Sequence, residues 1–119
     1  MDHIEYGRKN EDRATAFLER SGHTILERNW RYGKREVDII SETDEFIVIT
    51  EVKSIHPGSD ELPEDVVNRR KQQRIIRTAE AYIWEHRLRK PVRFDVIFIT
   101  ENREGVRIDH IRNAFYPGF

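Results

Sequence analysis

Two short runs of alternating, β-branched sequence, Glu36-Val37-Asp38-Ile39-Ile40 and Phe46-Ile47-Val48-Ile49-Thr50-Glu51-Val52-Lys53, flank the polar break Glu42-Thr43-Asp44-Glu45. This pattern predicts a β-hairpin. The two-residue side-chain period puts Glu36, Asp38 and Ile40 on one face of the first strand. It puts Ile47, Ile49, Glu51 and Lys53 together on the second. A turn centred between Asp44 and Glu45 sets Asp38 directly across from Glu51. Two carboxylates opposed on an otherwise apolar face repel and destabilise the sheet. A divalent cation is the simplest group that offsets the cost, and Lys53 adds a positive charge on the same face.

The rest of the chain reads as support for this cluster. Its 119 residues are enough for one domain, 1–119, with one modest core. Charged residues make up 36% of the chain, yet the apolar ones recur periodically, which predicts a folded protein. With no cysteine, disulfides and thiolate chemistry are excluded, and a cytoplasmic location is expected. No signal-like stretch opens the chain and no apolar run approaches a membrane span. A net charge of −1 exerts no global pull on nucleic acid, so any such binding relies on local patches.

A first helix is expected from Ile4 to Ser21, stopped by Gly22. Ile4, Ala14, Phe17 and Leu18 form its core stripe. Glu11 lies on that stripe, so it points toward the protein body, either as a boundary residue paired with an arginine or as part of the site. A strand near Thr24–Asn29 follows. The connection Trp30-Arg31-Tyr32-Gly33-Lys34-Arg35 then combines basic and aromatic side chains. It suits phosphate contact through Arg31, Lys34 and Arg35 and base stacking on Trp30 and Tyr32, unless those aromatics pack on the sheet edge.

A polar loop, 54–63, separates the hairpin from a long amphipathic helix expected from about Pro63 to Arg87. Val67, Ile75, Ile76, Ala79, Tyr82 and Ile83 form its apolar side. Arg69, Arg70, Lys71, Arg74 and Arg77 give the other face a single sign, either a solvated face or a phosphate-facing surface. Val92–Thr100, which includes Asp95, and Val106–Ile111 read as strands, and Phe115, Tyr116 and Phe119 end an aromatic tail. The five histidines lack ligand spacing and read as surface or loop residues. The order is αβββαββ, an α/β layout with a central mixed five-stranded sheet.

Asp38, Glu51 and the Val52 backbone carbonyl make a hard oxygen set suited to Mg²⁺ or Mn²⁺. Such an ion lowers the pKa of a bound water and stabilises charge on a phosphoryl group. Lys53 is placed to orient the water or counter that charge.

Gly7-Arg8-Lys9-Asn10-Glu11, Arg28-Asn29-Trp30-Arg31, Glu36-Val37-Asp38-Ile39-Ile40, Glu51-Val52-Lys53-Ser54, Lys71-Gln72-Gln73-Arg74-Ile75 and Arg93-Phe94-Asp95-Val96 resemble the successive motifs of the YraN-like family. That family is similar to archaeal Holliday-junction resolvases and belongs with the PD-(D/E)XK nucleases. The resemblance implies a restriction-endonuclease-like fold, Mg²⁺-dependent cleavage of DNA phosphodiesters, and a capacity for homodimers. It implies that Asp38, Glu51 and Lys53 are the nuclease core and that Glu11 is the acid of the first helix. Two departures stand out: Asn10 where glycine usually precedes that acid, and Arg35-Glu36 where Gly-Glu is common.

Two functional expectations result. One is a metal-dependent endodeoxyribonuclease acting on branched, nicked or otherwise processed DNA, with Arg70, Lys71 and Arg74 also on the DNA. The other is a noncatalytic nucleic-acid-binding or assembly module that keeps the fold.

Overall fold

Alternating β-branched residues build five strands, and the computed structural model, which describes residues 3–58 and 67–117, joins them in one mixed sheet. The elements run α1 (His3–Arg20), β1 (Thr24–Tyr32), β2 (Arg35–Glu42), β3 (Ile47–Ile55), α2 (Arg69–Glu85), β4 (Val92–Asn102) and β5 (Gly105–Phe115). The strands lie side by side in chain order, all antiparallel except β3 with β4, which are parallel. This is the α/β, restriction-endonuclease-like layout that the sequence predicts. Among the described residues no helix is long and apolar enough to cross a membrane.

Alternation along β4 gives each face its own helix. Phe94, Val96 and Phe98 join Ile40, Ile47 and Ile49 in a cluster with Ile75, Ala79 and Tyr82 of α2. Ile97 and Ile99 join Ile39 in a second cluster with Ala14 and Leu18 of α1. Strict alternation fails once in β2, where Val37 and Ile40, three residues apart, both pack in the α2 cluster. The irregularity falls at Asp38.

Both helices close alike. In α1 the His23 N–H bonds to the Leu18 carbonyl and the Gly22 N–H to that of Glu19, with Gly22 at φ 95°. In α2 Leu88 bonds to Ile83 and Arg87 to Trp84, with Arg87 at φ 52°. These are Schellman closures, and the second puts an arginine where glycine normally sits, at a cost of about 1 kcal/mol.

Several boundaries differ from expectation. Trp30-Arg31-Tyr32 is strand, not loop, because β1 pairs with β2 as far as Tyr32↔Arg35, leaving Gly33 (φ 63°) and Lys34 as a two-residue turn. Ser54 and Ile55 are strand as well, held by parallel pairing to Ile99 and Thr100. Helix α2 begins at Arg69 rather than near Pro63, because Asn68 is extended and its side chain caps the Lys71 N–H. Residues 59–66, where the earlier start was expected, lie outside the described residues, as does Phe119. Ile4 is 68% exposed, since no core lies beneath the first turn of α1. The strand expected to end at Ile111 continues to Phe115, which is buried and stacks on Phe94 at 5.1 Å. His23 and His110 are not surface residues. His23 lies beside Ser41 Oγ at 2.9 Å, and His110 Nε2 donates to the Asp95 carboxylate at 2.8 Å.

Candidate active site

The hairpin register is the one the turn predicts: Glu42↔Ile47, Ser41↔Val48, Ile40↔Ile49 and Ile39↔Thr50. The ladder stops there. One residue further on, the Asp38 side chain replaces the main chain, and its Oδ2 accepts the Val52 N–H at 2.8 Å. β2 is released toward β1 while β3 continues alongside β4, so the two strands part where the acids stand.

Glu51 lies across from Asp38 and is only 5% exposed. Burial pushes its carboxyl well above the usual carboxylate range, and the hydrogen-bonded Asp38 carboxyl pushes it further. The charge of Lys71, at the start of α2, and a backbone hydrogen bond from Asp38 act the other way without cancelling the shift. The register foreseen from the turn thus brings the two acids together, with burial the larger cause of the raised Glu51 pKa and Asp38 the next.

Glu11 approaches from α1. Its Oε1 accepts from Asn29 Nδ2 at 2.6 Å and from Arg28 at 3.3 Å. Burial raises its pKa and the neighbouring Asp38 charge adds to that, while Asn29 and Arg28 oppose it. Glu11 is thus an arginine-paired boundary residue and a neighbour of Asp38 at once. Asn29 holds it from a left-handed backbone, φ 51°, which asparagine tolerates better than most residues. An asparagine inside a strand was the available sign of this role.

Lys53 follows Glu51 on the same side of β3, half-buried, and makes no ion pair or hydrogen bond among the described residues. The next residue, Ser54, accepts Asn10 Nδ2 at 2.6 Å. Asn10 is fully buried and also accepts from Arg13, which reaches on to Glu101 at 3.0 Å. This chain of bonds ties α1 to β3 beside both Glu11 and Lys53, and sequence reading did not find it.

The expected DNA contacts divide. Lys71 stands near Glu51, and Arg70 and Arg74 are exposed on the same helix. Lys34 and Arg35 are exposed at the β1–β2 turn, whereas Arg31 pairs with Glu36 at 2.8 Å. Trp30 packs edge-on against Tyr82 at 5.1 Å and stacks on Tyr32 at 6.2 Å, so it is largely a core residue.

A profile of the uncharacterised protein family UPF0102 matches residues 10–99, from Asn10 into β4. The chain belongs to the UPF0102 family. A UPF0102 protein of Bacteroides thetaiotaomicron is 40% identical over 98% of this chain and 96% of its own length. One from Phocaeicola vulgatus is 38% identical over the same shares. A UPF0102 protein of Nitratidesulfovibrio vulgaris is 38% identical over 92% of this chain and 82% of its own length. The YraN-like resemblance is this same family, and the names of these relatives give no activity.

The UPF0102 site also fits a hard divalent cation. Two carboxyl groups in contact, one strongly resisting ionisation, form an oxygen donor set that a cation would relieve. Among the described residues no three His, Cys, Asp or Glu side chains group closely enough to hold a metal. Asp38 and Glu51 would therefore share the ion with waters and the Val52 carbonyl, while Glu11 is drawn off to Asn29 and Arg28.

Proposed function

We propose that this UPF0102 protein is a Mg²⁺- or Mn²⁺-dependent endonuclease that hydrolyses DNA phosphodiester bonds in branched or repair-intermediate DNA, in the cytoplasm. The observation that carries the reading is the contact between Asp38 and the buried Glu51, with Lys53 making no ion pair or hydrogen bond among the described residues beside it. Carboxylates forced together at a half-open strand junction cost stability, and a cation plus a phosphate explains their placement.

Asp38, fixed by the Val52 N–H, and Glu51 would hold the ion, which supplies an activated water and neutralises charge on the phosphoryl oxygens. Lys53 orients that water or counters the developing charge. A water oxygen would bond to phosphorus as one P–O ester bond breaks, the proton shed by the water passing to solvent and the departing alkoxide oxygen taking one from solvent. Glu11 holds the Arg28–Asn29 corner of β1 against Asp38. Lys71, Arg70 and Arg74 contact flanking phosphates at the α2 N-terminus, where the helix dipole also favours an anion.

The test is cleavage of labelled duplex, single-stranded, flapped and four-way-junction DNA with Mg²⁺, Mn²⁺ or EDTA, beside Asp38→Asn and Lys53→Ala. Metal-dependent cutting that both variants lose is the expected result. DNA binding without cutting, at a melting temperature indifferent to either metal, would instead identify a noncatalytic binding module.

A further inference from the structure

The segment Trp30-Arg31-Tyr32-Gly33-Lys34-Arg35, expected to be a loop, forms the closed tip of the β1–β2 ribbon. Cross-strand partners share a face of the sheet, so Trp30 with Val37 and Tyr32 with Arg35 stand on one face, and Arg31 with Glu36 on the other. The two faces of the tip are unlike. Arg31 and Glu36 neutralise each other at 2.8 Å. Tyr32 and Arg35 are both exposed, and neither side chain has an ion pair or hydrogen bond among the described residues.

Tyr32 is nevertheless held in place. Its ring is stacked on Trp30 at 6.2 Å with 12° between the planes, and Trp30 meets Tyr82 edge-on at 5.1 Å. Trp30 and Tyr82 pack in the α2 cluster, while Tyr32, at the outer end of the row, is 55% exposed. A ring supported from behind has already lost much of its rotamer freedom, so a further ring stacking on it costs little additional order.

The tip also faces the right way. Val37 packs in the α2 cluster together with Ile47 and Ile49, which share their face of β3 with Glu51 and Lys53. Tyr32 and Arg35 therefore lie on the Glu51 side of the sheet. Arg35 precedes Asp38 by three positions, about 10 Å along β2, or about three nucleotide steps of a stacked strand. A guanidinium beside an open aromatic ring suits a phosphate and its adjoining base. Paired duplex, whose bases stack on one another, has no free base face to offer along its length.

We infer that Tyr32 is a stacking platform for an unpaired nucleobase, with Arg35 on the adjoining phosphate, and that this tip makes the protein prefer DNA with unpaired nucleotides over fully paired duplex. The inference rests on the nucleic-acid reading of the Asp38–Glu51 site and names the substrates that site favours.

The test is binding of a flapped duplex and of the same duplex fully paired, in EDTA and in Ca²⁺, so that affinity is read without cutting. The wild type is expected to favour the flap by at least about fivefold. With 5-iodouracil as the first unpaired base, photocrosslinking is expected at Tyr32. Tyr32→Ala should abolish the preference and Tyr32→Phe should keep it. Arg35→Gln should weaken both substrates and lower the log–log salt slope by about one. A wild type without preference overturns the inference, as does a preference that Tyr32→Ala leaves intact or a crosslink that maps elsewhere. Metal-dependent cutting without a Tyr32-dependent preference would keep the nuclease and remove the platform. A Tyr32-dependent preference without cutting would do the reverse.

Discussion

Asp38 accepts the main-chain N–H of Val52 at 2.8 Å, so a side chain completes the bond that the β2–β3 ladder gives up one residue earlier. The aspartate is thereby fixed with one oxygen committed and the other carboxyl, that of Glu51, held against it. Site geometry and strand divergence have one cause.

Replacing Glu51 with Gln removes a buried group that must resist ionisation and offers Asp38 an amide donor. At neutral pH without metal this is expected to raise stability by about 1–3 kcal/mol, measured by denaturant unfolding. The same variant should lose the rise in melting temperature that Mg²⁺ or Mn²⁺ is expected to give the wild type. A variant less stable than wild type without metal would mean that the carboxylates do not oppose each other.

The pH dependence follows from the raised pKa. The folded protein keeps a proton on Glu51 at pH values where the unfolded chain, with an ordinary value of 4.5, has released it. Metal-free stability is therefore expected to fall as pH rises from about 4.5 through the folded value. Saturating Mn²⁺ should flatten that fall, and so should Glu51→Gln. A titration of unfolding free energy against pH, with and without metal, checks both.

The first turn of α2 carries Arg69, Arg70 and Lys71 and no acid, against the sense of the helix dipole. A bound phosphate would relieve this. Neutralising Arg70, Lys71 and Arg74 together is expected to reduce the log–log salt slope of DNA binding by about two to three. An unchanged slope would make the residues a solvated face.

Asp95 is fully buried in β4 and accepts two bonds from Arg93, one from His110 and one from the Asn113 N–H. Burial alone would raise its carboxyl, but these partners hold it down to about 2. Its contribution is present above the unfolded value of 3.8 and is lost as pH falls toward 2. Asp95→Asn is expected to cost about 3 kcal/mol at neutral pH by leaving Arg93 unpaired. It should also flatten stability across that acid window, as followed by circular dichroism.

Asn10→Leu strands the Ser54 hydroxyl and one Arg13 donor in a closely packed place. A loss of about 1–3 kcal/mol is expected in thermal unfolding, and Asn10→Gly should lose no less. If neither variant is destabilised, the bonds do not hold α1 to β3.

The sequence by itself determined the sheet, the hairpin register and the meeting of Asp38 with Glu51. Each rests on local periodicity and one turn, and a side-chain period of two leaves little freedom once one face is buried. It also marked Asp95, as an acid inside an apolar strand, without saying what would hold it. Tertiary structure decided the rest, because those contacts join residues far apart in the chain. Asn10 meets Ser54 across 44 positions and His110 meets Asp95 across a β-bulge, so helical or strand period alone cannot forecast either. Pairing with β2 also made the basic-aromatic segment a strand and turned Trp30 onto Tyr82, since a backbone takes the hydrogen bonds that its neighbour offers.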